Sequence, residues 1–231
     1  MNTRYLAIVP CYNVGDACKP VLTQVLKRVD ICIAIDDGST DKTASVIQDL
    51  KLPGLELLKH QTNLGKGKAL ITGFRHAIES YPDLDSIITL DGDGQHDPHL
   101  IPNFIQQHEQ ENADLVYGNR MTNLRGMPLH RQWLNALSNN LVSGICKMRI
   151  HDSQCGFRLY STKLLRLMLD DLKSERYELE TEILIRACKQ QLKISWVPIS
   201  TIYSAETTAL SNHSLSDVIR IGKLLRSIRR Q

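Results

Sequence analysis

This chain of 231 residues lacks a charge imbalance: 28 Lys and Arg stand against 25 Asp and Glu, a formal net charge of +3. So mild a field does not by itself draw nucleic acid. Aromatic residues are scarce, at 5%, which argues against a base-stacking surface. Nucleic acid is therefore not an expected partner. The six cysteines, Cys11, Cys18, Cys32, Cys146, Cys155 and Cys188, include no C-x-x-C pair. That disfavours a zinc centre and a disulfide framework and suits a reducing compartment. No run approaches the roughly 18 apolar residues of a membrane-spanning helix. The opening Met1-Asn2-Thr3-Arg4 has no secretory pattern. The expected location is cytoplasmic. Also missing are G-x-G-x-x-G and G-x-x-x-x-G-K-[ST], which sets aside a dinucleotide enzyme and a P-loop ATPase. There is no internal repeat and no low-complexity segment.

What is present reads as an ordinary globular composition, 42% hydrophobic and 23% charged. Short apolar runs at 5–9, 31–35, 55–58, 87–90 and 115–117 alternate with helical spacing at 21–29, 44–50, 69–78 and 97–108. Asp97-Pro98 predicts an N-cap followed by proline at the first helical position. This rhythm predicts an α/β fold, a Rossmann-like, doubly wound, mostly parallel sheet with helices on both faces. The second half is less regular. Residues 118–131 read as a loop, 134–145 as a helix, 155–160 as a strand, 163–169 and 178–189 as helices, and 194–199 as a strand. Residues 1–210 are expected to form one catalytic domain. Residues 211–231 are expected to add a basic amphipathic helix.

Chemistry concentrates where the strands end. The fourth strand delivers Asp91-Gly92-Asp93-Gly94-Gln95-His96. Carboxylates at i and i+2 past a strand share a side, and Gly92 lets an anion approach the backbone. Their oxygens suit a hard divalent cation bridged to substrate phosphates. The competing reading is a polar turn, which the capped helix immediately after makes less natural. A calcium EF-hand fails, because His96 and Pro102 stand where its glycine and glutamate belong. Pro10-Cys11-Tyr12-Asn13 and Asp36-Asp37-Gly38-Ser39 end the first two strands, and such adjacent ends make a nucleoside slot. Ser39, Thr40 or Asp41 can also simply cap the next helix. Asn63-Leu64-Gly65-Lys66-Gly67-Lys68 offers glycines and cations at a helix start, a phosphate-friendly turn or a solvated basic one.

The ordered set V-P-C-Y-N, D-D-G-S-T-D-K-T, N-L-G-K-G-K-A-L, L-D-G-D-G-Q-H-D-P, Y-G-N-R, D-S-Q-C-G-F-R and Y-E-L-E-T-E-I covers about residues 4–205. It resembles family 2 glycosyltransferases of the GT-A fold, in the dolichyl- and polyprenyl-phosphate mannosyl/glucosyltransferase branch. The resemblance implies Asp91, Asp93 and Gln95 as metal ligands for Mg2+ or Mn2+. It implies Pro10, Tyr12 and Asp37 as nucleoside contacts, with Asn13, Asp36, Ser39, Lys66, Asp91 and Gly92 completing the donor cradle. Arg120 and Arg131 match residues near the acceptor phosphate, and Asp152, Gln154 and Arg158 the acceptor side. A surface helix start competes for Arg131, and a strand-end ion pair for Arg158. The catalytic set is Asp91, Asp93, Arg120, Arg131 and Asp152. The sequence departs from the branch at Val14, where a glutamate is common, and at 205–214.

The implied reaction inverts a sugar carbon, moving it from a GDP- or UDP-sugar to a lipid phosphate at the membrane surface. A phosphate acceptor is already anionic and needs only positioning. A hydroxyl acceptor needs a base, for which Asp152, Glu180 and Glu182 are candidates. An ion-pair ladder on an exposed helix face competes for Glu178, Glu182 and Arg186. A nucleotidyltransferase and a non-catalytic sugar-nucleotide-binding subunit are the more distant alternatives. The C-terminal helix, with Val218, Ile221, Leu224 and Leu225 among Arg220, Lys223 and Arg226, suits a packed terminal helix, peripheral attachment at the inner face of the membrane, or a membrane-protein partner.

Overall fold

Along β1 (Tyr5–Cys11) the side chains alternate between two cores. Leu6 and Ile8 enter one cluster, Ala7, Val9 and Cys11 the other, and all five are buried. β2 (Ile31–Asp36) repeats this with Ile33 and Ile35 against Cys32 and Ala34. A strand apolar on both faces must be covered on both. α1 (Cys18–Val25), α2 (Thr43–Asp49) and α4 (Ile101–Glu111) supply one layer. α3 (Lys66–Ser80), α5 (Leu129–Cys146), α6 (Thr162–Met168) and α7 (Glu178–Lys189) supply the other. The remaining strands are β3 (Leu55–Lys59), β4 (Ser86–Thr89), β5 (Leu115–Asn119), β6 (Arg158–Ser161) and β7 (Ile194–Pro198). This computed structural model describes residues 4–124 and 127–202. The expected boundary at 210 and the basic helix at 211–231 lie outside the described residues.

The seven strands among the described residues run in the order β3-β2-β1-β4-β6-β5-β7. All neighbours are parallel except β6, which is antiparallel to both β4 and β5. The expected mostly parallel sheet is thus present, with one reversed strand in its interior. That reversal matters for the site. Because β6 runs backwards, its first residue, Arg158, pairs with Thr89 at the end of β4. The segment entering β6 therefore lies beside Asp91, at the sheet edge where α/β folds bind ligands.

Local signals explain several boundaries. Asp97 caps as expected, its side chain accepting from His99 N–H at 3.0 Å, with Pro98 first in a 3-10 turn that leads into α4. Ser161 caps α6 by accepting from Leu164 N–H. α4 and α5 end in left-handed residues, Asn112 and Lys147. The expected loop at 118–131 is shorter than its composition suggests. β5 continues to Asn119, a 3-10 turn covers Arg120–Thr122, and α5 begins at Leu129. Pro128 precedes that helix without entering it.

Candidate active site

The ends of β1 and β2 are tied together before any ligand arrives. Cys11 and Asp36 are in register, and Asp37 N–H donates to Cys11 O at 2.9 Å. Beyond them the two loops interlock. Ser39 Oγ accepts from Asn13 N–H at 3.0 Å, and Asn13 Oδ1 accepts from Thr40 N–H at 2.8 Å. Asp41, not Ser39, accepts from the first amide of α2, at Thr43. Tyr12 stands out of this frame 46% exposed, free to lie on a flat ligand, and Pro10 is half-buried. Asp36 is buried and accepts from Ser39 N–H at 3.2 Å.

Asp37, the expected nucleoside contact, is engaged by the protein itself. It is buried, with Oδ1 accepting from Leu64 N–H at 3.0 Å and bonded to His60 Nδ1 at 2.7 Å, while Oδ2 accepts from Gly65 N–H at 2.8 Å. It fixes the N-L-G-K-G-K turn, and so aims Lys66.

Lys66, the first residue of α3, spans two carboxylates. Its Nζ lies 2.6 Å from Asp91 Oδ1 and 3.0 Å from Glu180 Oε1. Burial alone lowers an ammonium's pKa, but Asp91 and Glu180 outweigh it and raise Lys66 above its ordinary value. The Tyr177 ring centroid lies 5.7 Å from the same ammonium. Asp93 is a poorer home for charge. Burial, then the neighbouring Asp91, pushes its carboxyl up to about 6. Asp93 Oδ1 accepts from Gln95 N–H at 3.0 Å, and Gln95 itself is buried. Among the described residues no three His, Cys, Asp or Glu side chains gather as a metal cage. Asp91, Asp93 and Gln95 carry side-chain oxygens of the hard type that suits a divalent cation. Buried His96 has its Nδ1 3.3 Å from Asp91 N. Burial lowers its pKa to about 4, so it is neutral at pH 7 and accepts from that amide.

Two glycines let backbone approach these groups closely. A Cβ on Gly92 would sit 2.7 Å from Cys11 Sγ and 3.1 Å from Pro10 O. One on Gly156 would sit 2.6 Å from Lys66 Nζ and 2.9 Å from Asp91 Oδ2. The reversed strand thus brings bare backbone against the Lys66–Asp91 pair.

Arg120 and Asp152 form one unit. The guanidinium contacts both carboxylate oxygens, Nε to Oδ2 at 2.7 Å and Nη2 to Oδ1 at 2.9 Å. Arg120 N–H adds a third bond at 3.0 Å and Gln154 N–H a fourth at 3.3 Å. Burial opposes the charge on Asp152, but Arg120 and these amides hold its carboxyl below its ordinary value. With both oxygens engaged, Asp152 acts as the holder of Arg120. Arg158 is fully buried and donates to three carbonyls, Cys155 O, Glu180 O and Ser153 O, at 2.6–2.7 Å. Among the described residues it pairs with no carboxylate; it stitches the segment before β6 to α7. Arg131 is half-buried in the first turn of α5. The expected exposed ladder on α7 is not exposed at Glu182, which is 1% accessible and accepts from Ser174 N–H and Arg186.

Glu180 as the partner of Lys66, Gly156 and Tyr177 were not assigned to the donor side from sequence. Their signal lay in Q-C-G-F-R and Y-E-L-E, but only the reversed β6 and its stitch to α7 bring those motifs to Asp91. A cleft of about 1050 Å3 lined by Arg4, Asp85, Asp114 and Lys163 opens elsewhere, at the amino edge of the parallel strands, away from all of these groups.

The profile of glycosyl transferase family 2 matches residues 6–168. An uncharacterized protein of Methanocaldococcus jannaschii is 34% identical over 204 residues, covering 85% of this chain and 81% of the relative. The UDP-N-acetylglucosamine–dolichyl-phosphate N-acetylglucosaminyltransferase of Methanococcus voltae is 32% identical over 220 residues, covering 87% of each. Glucosyl-3-phosphoglycerate synthase of Mycobacterium tuberculosis, solved with Mn2+, UDP and phosphoglyceric acid, superposes with a TM-score of 0.72 over 97% of this chain and 78% of that one. At 18% identity that likeness speaks for the fold alone. The GT-A sheet, the motifs on its carboxyl edge and the profile spanning most of the chain agree: this protein is a glycosyltransferase and belongs to glycosyl transferase family 2.

Proposed function

We propose that this enzyme transfers a sugar from a GDP- or UDP-sugar to the phosphate of a polyprenyl-type lipid at a membrane surface, with Mg2+ or Mn2+. The observation that carries the acceptor assignment is the state of the candidate bases. Asp152 is held by Arg120, Glu180 by Lys66, and Glu182 by Arg186 and backbone amides. A hydroxyl acceptor needs a free base; a phosphate does not.

The side-chain oxygens of Asp91, Asp93 and Gln95 would hold a hard cation, which would neutralise charge on the diphosphate leaving group. Lys66 adds a fixed ammonium on the same side, preorganised for the charge that develops there. Arg120, locked by Asp152, and Arg131 are the cations that orient the acceptor phosphate. The attacking oxygen approaches the sugar opposite the diphosphate.

α5 supports a membrane surface. Leu129, Trp133, Leu137 and Leu141 recur at i+4 and are 73%, 78%, 51% and 44% exposed, an apolar ridge on one helix face. Between Asp114 and Asp152 there is no acidic residue, while Arg120, Arg125, Arg131, Lys147 and Arg149 all fall there. Such a stretch suits anionic lipid. No helix among the described residues is long and apolar enough to cross a membrane.

The test pairs UDP-N-acetylglucosamine, the donor named for the Methanococcus voltae relative, and a panel of other GDP- and UDP-sugars with a short polyprenyl phosphate and either metal. Nucleoside diphosphate release that needs the lipid phosphate and stops with EDTA is expected. Equal release with the corresponding polyprenol sinks the acceptor assignment. Trp133→Ala is expected to weaken flotation with phosphatidylglycerol vesicles about tenfold, the loss of one large apolar contact. Unchanged flotation removes α5 from the argument.

A further inference from the structure

The turn that aims Lys66 is gripped on both sides. On one side a Cβ on Gly38 would sit 2.5 Å from Asn63 N, so the loop after β2 lies directly against the turn. On the other, Lys68 N–H donates to Glu175 O at 3.0 Å, in the segment before α7. Contact alone does not set the height of a turn; directional bonds do. Asp37 supplies them by accepting from the Leu64 and Gly65 amides. Asp37 is held in its turn by His60, which follows β3 and whose backbone N–H donates to Asp36 O at 2.9 Å. The His60 ring bridges two partners, with Nδ1 2.7 Å from Asp37 Oδ1 and Nε2 3.0 Å from Thr72 Oγ1. The His60 and Asp37 side chains are only 9% and 3% exposed, so little water competes for these bonds. A carboxylate only accepts, so the Nδ1 proton points at Asp37. Thr72 lies in α3, the helix that Lys66 opens. The bonds therefore close on themselves, from within α3 through His60 and Asp37 to the amides just before α3.

We propose that His60 is a positioning residue for the sugar transfer: through Asp37 it sets the turn before α3 and so holds the Lys66 ammonium on Asp91. His60 acts at one remove. Its ring partners are Asp37 and Thr72, and the partners of Asp37 in the turn are amides, so what His60 governs is where the Lys66 stem leaves the backbone. Lys66 Nζ sits 2.6 Å from Asp91 Oδ1 and 3.0 Å from Glu180 Oε1. A misplacement of about 1 Å in such a group is enough to slow a reaction about a hundredfold. The inference rests on the reading of Lys66 as the fixed ammonium of the donor site, and it holds for either acceptor.

Two substitutions in the full chain separate the ring nitrogens. In His60→Asn the side-chain amide nitrogen stands in for Nδ1 and still donates to Asp37. In His60→Gln the amide reaches toward Thr72 and leaves Asp37 Oδ1 with the Leu64 amide alone. The reading is kcat per folded molecule, as nucleoside diphosphate release from the GDP- or UDP-sugar that wild type turns over fastest. His60→Asn is expected within about threefold of wild type and His60→Gln about tenfold or more below it. Lys66→Met alone is expected to lose about a hundredfold. Adding His60→Gln to Lys66→Met should lower kcat by no more than about twofold further, because both changes act at one ammonium. A histidine with only a structural role would slow the Lys66→Met enzyme as much as the wild type. Amide exchange at Leu64 and Gly65 is expected to quicken in His60→Gln and to stay near wild type in His60→Asn. Should the Gln variant not fold, Thr72→Val, an isosteric loss of the outer bond, carries the same cycle with a drop of about threefold. Full additivity with Lys66→Met, equal turnover in the Asn and Gln variants, or unchanged exchange at both amides in His60→Gln overturns the inference and leaves the role of Lys66 standing. Near-wild-type turnover in Lys66→Met overturns the reading of Lys66 and the inference with it.

Discussion

The two walls of the active site are held by different forces. On the donor side, the loops after β1 and β2 are fixed by short polar side chains bonded to amides: Ser39 to Asn13, Asn13 to Thr40, Thr43 to Val14 and Gly15, Asp37 to Leu64 and Gly65. On the opposite side, buried guanidiniums do the holding, Arg120 on Asp152 and Arg158 on three carbonyls. A neutral hydrogen bond contributes about 1 kcal/mol, and its loss is local. A buried ion pair gives little net stability while intact, yet removing one partner costs about 3–5 kcal/mol. The donor wall is therefore open to change residue by residue. The opposite wall stands or falls as a unit, and substitutions there report on folding before they report on chemistry.

The sharpest break in that comparison comes at Asp91, where the two walls meet through Lys66 and Glu180. Asp91→Asn is expected to lower turnover by about a thousandfold, the scale of removing one preorganised charge from a transition-state site. It relieves ionised Asp93 but leaves Lys66 with Glu180 as its one remaining carboxylate among the described residues, so some loss of stability is expected and turnover is compared per folded molecule. A folded variant with more than a tenth of wild-type turnover would take Asp91 out of the reaction.

Arg158→Met tests the claim that the opposite wall is structural. Three carbonyls lose their donor, and the expected destabilisation is about 3–5 kcal/mol in urea unfolding. Turnover per folded molecule should change far less. A soluble, stable Met variant with no activity would return Arg158 to the acceptor.

Asp152 offers the same test through pH. Its folded pKa is depressed, so it contributes stability that is fully present above the unfolded value of about 4 and is lost as pH falls through the lower folded value. Wild type should lose stability below about pH 4 in part through this group. Asp152→Asn should already lack that stability at pH 7, by about 3 kcal/mol, and should show a flatter acid limb. Parallel acid limbs in the two proteins would mean that Asp152 is not ionised where Arg120 meets it.

The donor wall was the more legible of the two. Alternating apolar strands ending in Y-N, D-D-G-S and D-G-D place their motifs by topology alone, because parallel strands deliver their ends to one edge. What spacing cannot tell is which oxygens face a ligand. Asp36 and Asp37 are adjacent in sequence, but the pleat sends them to different jobs, and Asp37 goes to the turn that aims Lys66. The far wall was harder to read. Reversal of β6 is a long-range pairing choice with no local signature, and it is what brings Gly156 to Asp91. Arg120 and Arg158 look alike in sequence as cations beside polar motifs. Only the fold gives one a carboxylate and the other three carbonyls. The exposed ridge on α5 was hidden for a simpler reason: its apolar residues satisfied the pattern expected of a buried helix, and periodicity does not say what covers a face.

The smallest expected effect belongs to the donor wall. Ser39 Oγ accepts one amide bond, from Asn13 at 3.0 Å, while its own N–H remains bonded to Asp36. Ser39→Ala deletes the first and leaves the second, at an expected loss of about 1 kcal/mol, or about 2–4 °C in melting temperature for a chain of this size. Asn13 has a positive φ of 51°, a conformation Asn tolerates better than most residues but which still needs support. Without Ser39 that loop should loosen next to Tyr12, and the donor KM should rise a few-fold with kcat nearly unchanged, because the groups around Asp91 are untouched. A fall in kcat with KM constant would mean the cradle acts on the chemical step itself, and the two walls would then be coupled more tightly than their hydrogen bonds imply.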